Sequence, residues 1–182
     1  MVDEATIDWS RPHLASFLSQ IACRAGVSTL HVIAHSMGNR ALIKALGTLP
    51  LFNSTSFINQ IVLAAPDIDS GEFVQIAASI QSSGKRTTLY ASSNDKAIEI
   101  SKQVHEYPRA GESGPDIVIV NGVDTIDASN VDTSFIGHSY FADKRTVLSD
   151  LYYVLSEGKP PSERYSLEEK TCPKGLYWAF RP

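Results

Sequence analysis

Residues 34–38 read Ala-His-Ser-Met-Gly, with a small residue two places before Ser36 and a glycine two places after it. The apolar run 29–34, TLHVIA, precedes this pentapeptide, and a helical pattern over 37–49 follows it. A strand that turns this sharply into a helix tolerates only small flanking side chains and pushes the serine out at the strand's carboxyl end, a nucleophile elbow. The helix start behind the serine favours negative charge developing there, and the Met37 N–H is placed to donate to an oxyanion. The plainer alternative is a serine that caps an ordinary helix.

A nucleophilic serine needs a base, and the base needs an orienting acid. His105 and His138 follow Ser36 in the chain. His105 closes a helix beside Glu106, a common surface arrangement. His138 lies in Phe135-Ile136-Gly137-His138-Ser139-Tyr140, a loop after the last expected strand, and is the expected base; the alternative is a residue at a helix entry. His35 points away from its neighbour at the elbow and is read as lining the site. His31 reads as a core histidine, and His13 as a surface residue before the first helix. Asp95 and Asp67 each follow a strand, where catalytic groups gather in open α/β sheets. Asp95 is favoured as the acid, although its position also fits a helix N-cap. Asp67 is read as part of the substrate floor, and Asp69 as a helix cap.

The elements that must position these residues follow from periodicity. Helices are expected over 13–25, 37–49, from Asp69 or Ser70 to the turn Ser82-Ser83-Gly84, to about residue 105, and over 141–156. Strands are expected at 29–34, 58–65, 86–91 and 116–120, the last being the run DIVIV. This alternation predicts an α/β fold: a three-layer αβα sandwich on a mostly parallel sheet of about four strands. One domain over 1–182 is expected, with a core over 1–157 and an irregular tail over 158–182, pinned by Tyr177, Trp178 and Phe180.

Composition narrows the function. The 182 residues carry 16 Lys+Arg against 20 Asp+Glu, a net charge of −4. Basic residues are scattered, and the pairs Lys85-Arg86 and Lys144-Arg145 read as solvated surface, so nucleic acid is not an expected partner. No stretch is apolar enough to span a membrane. The acidic start Met-Val-Asp-Glu has no leader pattern, which leaves the cytoplasm as the default location and export open to a longer form of the chain. Cys23, expected to be buried on a helix, and Cys172, expected to be free, form no disulfide framework. Asp124, Asp127 and Asp132 match no calcium loop and read as a solvated acidic loop. Metal, nucleotide and dinucleotide motifs are lacking, so no metal and no cofactor is expected.

Residues 34–40, Ala-His-Ser-Met-Gly-Asn-Arg, together with 63–69, 90–97 and 137–141, resemble a bacterial α/β-hydrolase family of unknown function. The chain order of Ser36, Asp95 and His138 is similar to that of α/β-hydrolases. The resemblance implies a serine hydrolase of the carboxylesterase or lipase type acting on a small ester through an acyl-enzyme. An acyltransferase or thioesterase with the same triad, and a non-catalytic interaction module, are the alternatives. Members of the family begin with further strands, one ending in a His-Gly segment that donates to the oxyanion hole. The present chain is similar to the C-terminal half to two-thirds of that fold. The strand 29–34 is therefore expected to form an open edge, and the chain to associate through it as a homodimer or other homo-oligomer.

Overall fold

The computed structural model describes residues 2–24, 26–48, 58–131 and 145–182. Helices α1 (Val2–Ala22), α2 (Gly38–Leu46), α3 (Ser70–Ser83), α4 (Lys96–His105) and α5 (Arg145–Tyr152) alternate with strands β1 (His31–His35), β2 (Ile58–Ala64), β3 (Gly84–Ala91) and β4 (Val123–Asp127). The chain closes with β5 (Leu167–Cys172) and β6 (Gly175–Phe180). The fold is α/β, with one mostly parallel sheet in the order β1-β2-β3-β4-β6-β5. Each of β1 to β4 is parallel to its neighbour, so their carboxyl ends lie on one side of the sheet.

β2 shows why the sequence of its strand is so apolar. Ile61 and Leu63 enter a core with Leu18 of α1, Leu42 and Leu46 of α2, and Phe73 and Ile80 of α3. Val62 and Ala64 enter a second core with Ile98 of α4 and with Val147 and Leu151 of α5. A strand covered on both faces loses the alternation of polar residues that a half-exposed strand keeps.

Several features differ from the sequence reading. The first helix starts at Val2, well before residue 13, and runs through Pro12. Proline lacks the N–H that a helix interior needs. Burial of Ile7 and a 2.8 Å ion pair from Lys44 of α2 to Asp8 nonetheless hold the extra turns. His13 is therefore inside α1, with its ring centroid 4.6 Å from that of Trp9. Cys23, expected to be buried, follows the end of α1 and is exposed.

The run DIVIV at 116–120 is not a strand. Ile117 and Val118 are buried in irregular backbone whose carbonyls find partners elsewhere. Thr125 Oγ1 donates to the Val118 carbonyl at 2.8 Å, and Lys174 Nζ donates to those of Pro115 at 2.9 Å and Ile117 at 3.2 Å. Buried backbone needs hydrogen bonds, but not necessarily a ladder. The fourth strand is instead β4, inside the expected acidic loop, in register with Thr87–Ala91 of β3. Its Asp124 is not solvated loop but pairs with Arg86 at 2.6 Å, and Asp127 Oδ1 caps the Ser129 N–H at 2.8 Å. Asp132 lies outside the described residues.

The segment after residue 158, expected to be irregular, supplies two more strands. β5 and β6 form an antiparallel hairpin about Pro173-Lys174, and β6 lies parallel to β4 through Ile126–Trp178 and Asp127–Ala179. The sheet therefore has six strands, not about four. Phe180 is fully buried and Trp178 packs on the second core, so the expected aromatic anchoring takes the form of a strand. Ser82 and Ser83 belong to α3, and β3 begins directly at Gly84.

Candidate active site

Ser36 stands between β1 and α2 with φ +53°, a left-handed backbone that costs a non-glycine residue roughly 1–2 kcal/mol. Such strain persists only where the surroundings over-determine it. Here the Ser36 N–H donates to the Ala64 carbonyl at 3.0 Å, tying the elbow to the end of β2. The Ser36 carbonyl accepts from the N–H groups of Asn39 at 3.1 Å and Asp67 at 3.3 Å. Ala65, next to Ala64, also has a positive φ of 43°. Two strained residues thus meet at the carboxyl ends of adjacent strands.

Met37 is the N-cap of α2, with no side-chain cap bond. Its N–H has no acceptor among the described residues. A backbone donor at a helix start beside the serine is the geometry an oxyanion requires. His35 ends β1 and is exposed. His31, expected in the core, is half-buried, and its Nδ1 is buried without a hydrogen-bond partner.

Asp67 and Asp95 have different surroundings. Asp67 Oδ1 accepts from Ser101 Oγ at 2.6 Å and pairs with Arg109 Nε at 3.2 Å. The Arg109 side chain is 2 % exposed, so this carboxylate neutralises a buried guanidinium. Arg109 comes from a loop pressed against the end of β2. The Gly111 N–H donates to the Pro66 carbonyl at 2.9 Å, and a Cβ at Gly111 would lie 2.7 Å from the Ala65 carbonyl carbon. Neither Arg109 nor Ser101 was singled out from the sequence. Their only signal is a serine on α4 and a single basic residue in the loop that follows it.

Asp95 follows β3, is buried, and is the N-cap of α4. Both cap bonds fall on Oδ1, from Ala97 N–H at 3.0 Å and Ile98 N–H at 3.1 Å. β2 separates β1 from β3, so the strands that lead into Ser36 and Asp95 lie two strand spacings apart, about 10 Å. His138 lies outside the described residues. His105 is the last residue of α4, and its Nδ1 lies 2.9 Å from the Ser101 carbonyl.

A cavity of about 560 Å³ runs along α4, lined by Ser92, Asp95, Ile98, Lys102 and Glu112 among others. Its described lining does not include Ser36. Among the described residues, no cluster of three or more His, Cys, Asp or Glu side chains could hold a metal ion. No described helix is long and apolar enough to cross a membrane.

A parallel sheet flanked by helices, with a serine in a left-handed turn between strand and helix, defines the α/β-hydrolase class. The family model described as alpha/beta hydrolase of unknown function (DUF900) matches residues 1–154, and the chain belongs to that family. No curated protein and no solved structure matches the chain.

Proposed function

We propose that this α/β-hydrolase cleaves carboxylic esters through an acyl-enzyme on Ser36. The positive φ of Ser36 carries the reading: the backbone is strained at the one residue whose hydroxyl would attack. In this reading Ser36 Oγ adds to the acyl carbonyl, and His138 takes its proton and returns it to the leaving alcohol. Asp95, held by its cap bonds on Oδ1, orients the imidazole through Oδ2. The Met37 N–H stabilises the oxyanion, and water then releases the acid. The Asp67–Arg109 pair is read as support for the elbow through the Asp67 N–H, not as the acid. The protein is expected to turn over a short-chain chromogenic ester well above the uncatalysed rate. Background hydrolysis alone would contradict the assignment.

Association with a second copy through β1 is part of the same proposal. β2 is the one neighbour of β1 in the described sheet, and Ile33 on β1 is 45 % exposed. The opposite edge, β5, carries Glu168, Glu169 and Lys170, charges of the kind that discourage edge pairing. β1, His-Val-Ile-Ala-His, carries no lysine or carboxylate, and it has a histidine at each end of a strand centred on Ile33. Antiparallel pairing of two such strands about Ile33 is self-complementary, as a two-fold axis requires. Light scattering is expected to give twice the chain mass of 19.9 kDa. A stable monomer at working concentration would contradict this.

A further inference from the structure

We infer that Asn39 is a positioning residue that holds the attacking serine in its strained turn; the inference rests on the hydrolase reading above. Asn39 is the second residue of α2 and is fully buried. Its Nδ2 donates to two backbone carbonyls at once, Ser36 at 2.9 Å and Ala64 at 3.0 Å. Both partners are carbonyls, which accept only, so the NH₂ end of the amide must face them. One side chain therefore joins the elbow to the end of the neighbouring strand.

Those two carbonyls matter because of what flanks them. One belongs to Ser36, at φ +53°, and the other belongs to the residue before Ala65, at φ 43°. Either backbone would relax toward ordinary geometry if its carbonyl were free to turn. Backbone N–H groups already reach each of the two carbonyls, those of Asn39 and Asp67 the Ser36 carbonyl and that of Ser36 the Ala64 carbonyl; the Asn39 amide adds a single donor that spans both and so steadies where Ser36 Oγ points relative to the Met37 N–H. The Asn39 Oδ1 is buried without a hydrogen-bond partner. A residue kept only to fill space would avoid that orphaned acceptor. The donor half of the amide is what the site uses.

Asn39→Asp keeps the shape and changes the donor. A carboxyl facing two carbonyls in a buried place is pushed upward in pKa and, while neutral, donates one hydrogen bond in place of two. Once ionised it donates none and repels both carbonyls. The experiment is the rate of Ser36 labelling by an organophosphonate probe, in the parent and in Asn39→Asp, from pH 5 to 9. It is run where circular dichroism shows each protein folded at every pH.

The expected result is that the variant's maximal rate falls about 10²-fold at high pH, the scale of a small misplacement of a reacting group. The ratio of variant to parent should recover as pH falls, with the probe's half-saturating concentration unchanged. A flat ratio near one, or a change in half-saturation alone, would overturn the inference. If Asn39→Asp does not fold, Asn39→Ser replaces it and should lower the maximal rate without moving half-saturation. Failure of both variants to fold would mark Asn39 as structural only and also overturn the inference. A parent that is not labelled at all would overturn the hydrolase reading, and this inference with it. Equal labelling of parent and variant would overturn this inference alone.

Discussion

Asp95→Asn is expected to lower turnover of a short-chain ester by about 10⁴-fold, the loss that follows when a triad imidazole is held in the wrong tautomer. The fold should be indifferent, because asparagine caps a helix as well as aspartate does. Its side-chain oxygen can accept the two bonds that Asp95 Oδ1 takes from the Ala97 and Ile98 N–H groups. Asp67→Asn should behave in the opposite way. It leaves the Arg109 guanidinium, whose side chain is 2 % exposed, without its charge partner. That should cost about 1–3 kcal/mol of stability, while turnover falls much less than for Asp95→Asn. Steady-state kinetics beside thermal unfolding separate the two. If Asp67→Asn is the inactive variant and Asp95→Asn stays active, the acid comes from the end of β2.

The second large effect concerns stability beneath the sheet. Asp150 of α5 accepts from Tyr90 of β3 at 2.6 Å and pairs with Arg164 at 2.9 Å, and both partners of the ion pair are fully buried. Arg164 precedes β5, so this cluster ties the closing hairpin to α5 and to the middle of the sheet. Breaking a buried pair by removing one partner leaves an uncompensated charge and costs about 3–5 kcal/mol. Asp150→Ala should therefore lower the unfolding midpoint by roughly 10 °C in a chain of this size. Burial, partly offset by Arg164 and the Tyr90 hydroxyl, holds the Asp150 carboxyl above its ordinary value. The carboxyl is therefore protonated more easily in the folded than in the unfolded chain. The stability this contributes is present at acid pH and is lost as pH rises through the folded value. Asp150→Asn should remove that dependence, so its midpoint should gain on the parent as pH rises above the ordinary carboxylate range. A midpoint for Asp150→Ala within 2 °C of the parent would mean the ion pair is dispensable.

The sequence made the elbow legible because its turn chemistry is restrictive. A serine flanked by Ala34 and Gly38 between a strand and a helix has few other structures open to it, and Ser36 adopts the left-handed backbone such a turn needs. The Asp69 cap was legible for the same local reason, and its Oδ1 accepts from the Glu72 N–H at 2.8 Å. What failed to show was decided by distant partners. DIVIV has the composition of a buried strand, but Thr125 and Lys174 side chains satisfy its carbonyls in place of a ladder. VDTID looks like a polar loop because Asp124 is paid off only by Arg86 across the sheet. β5 looks like a tail because an edge strand carries charges on its open side. Asn39 had no signature as a clamp, since its two acceptors become neighbours only when β1 and β2 pair. At the site, Asp67 and Asp95 were equally visible at strand ends. Only their surroundings distinguish a carboxylate bound to Arg109 from one that caps α4.

The central claim is that Ser36 is the nucleophile, and covalent labelling by an organophosphonate probe followed by peptide mapping tests it most directly. The expected result is a single adduct on Ser36, formed by the parent and lost completely in Ser36→Ala. An adduct on any other serine, or labelling that survives Ser36→Ala, would contradict it.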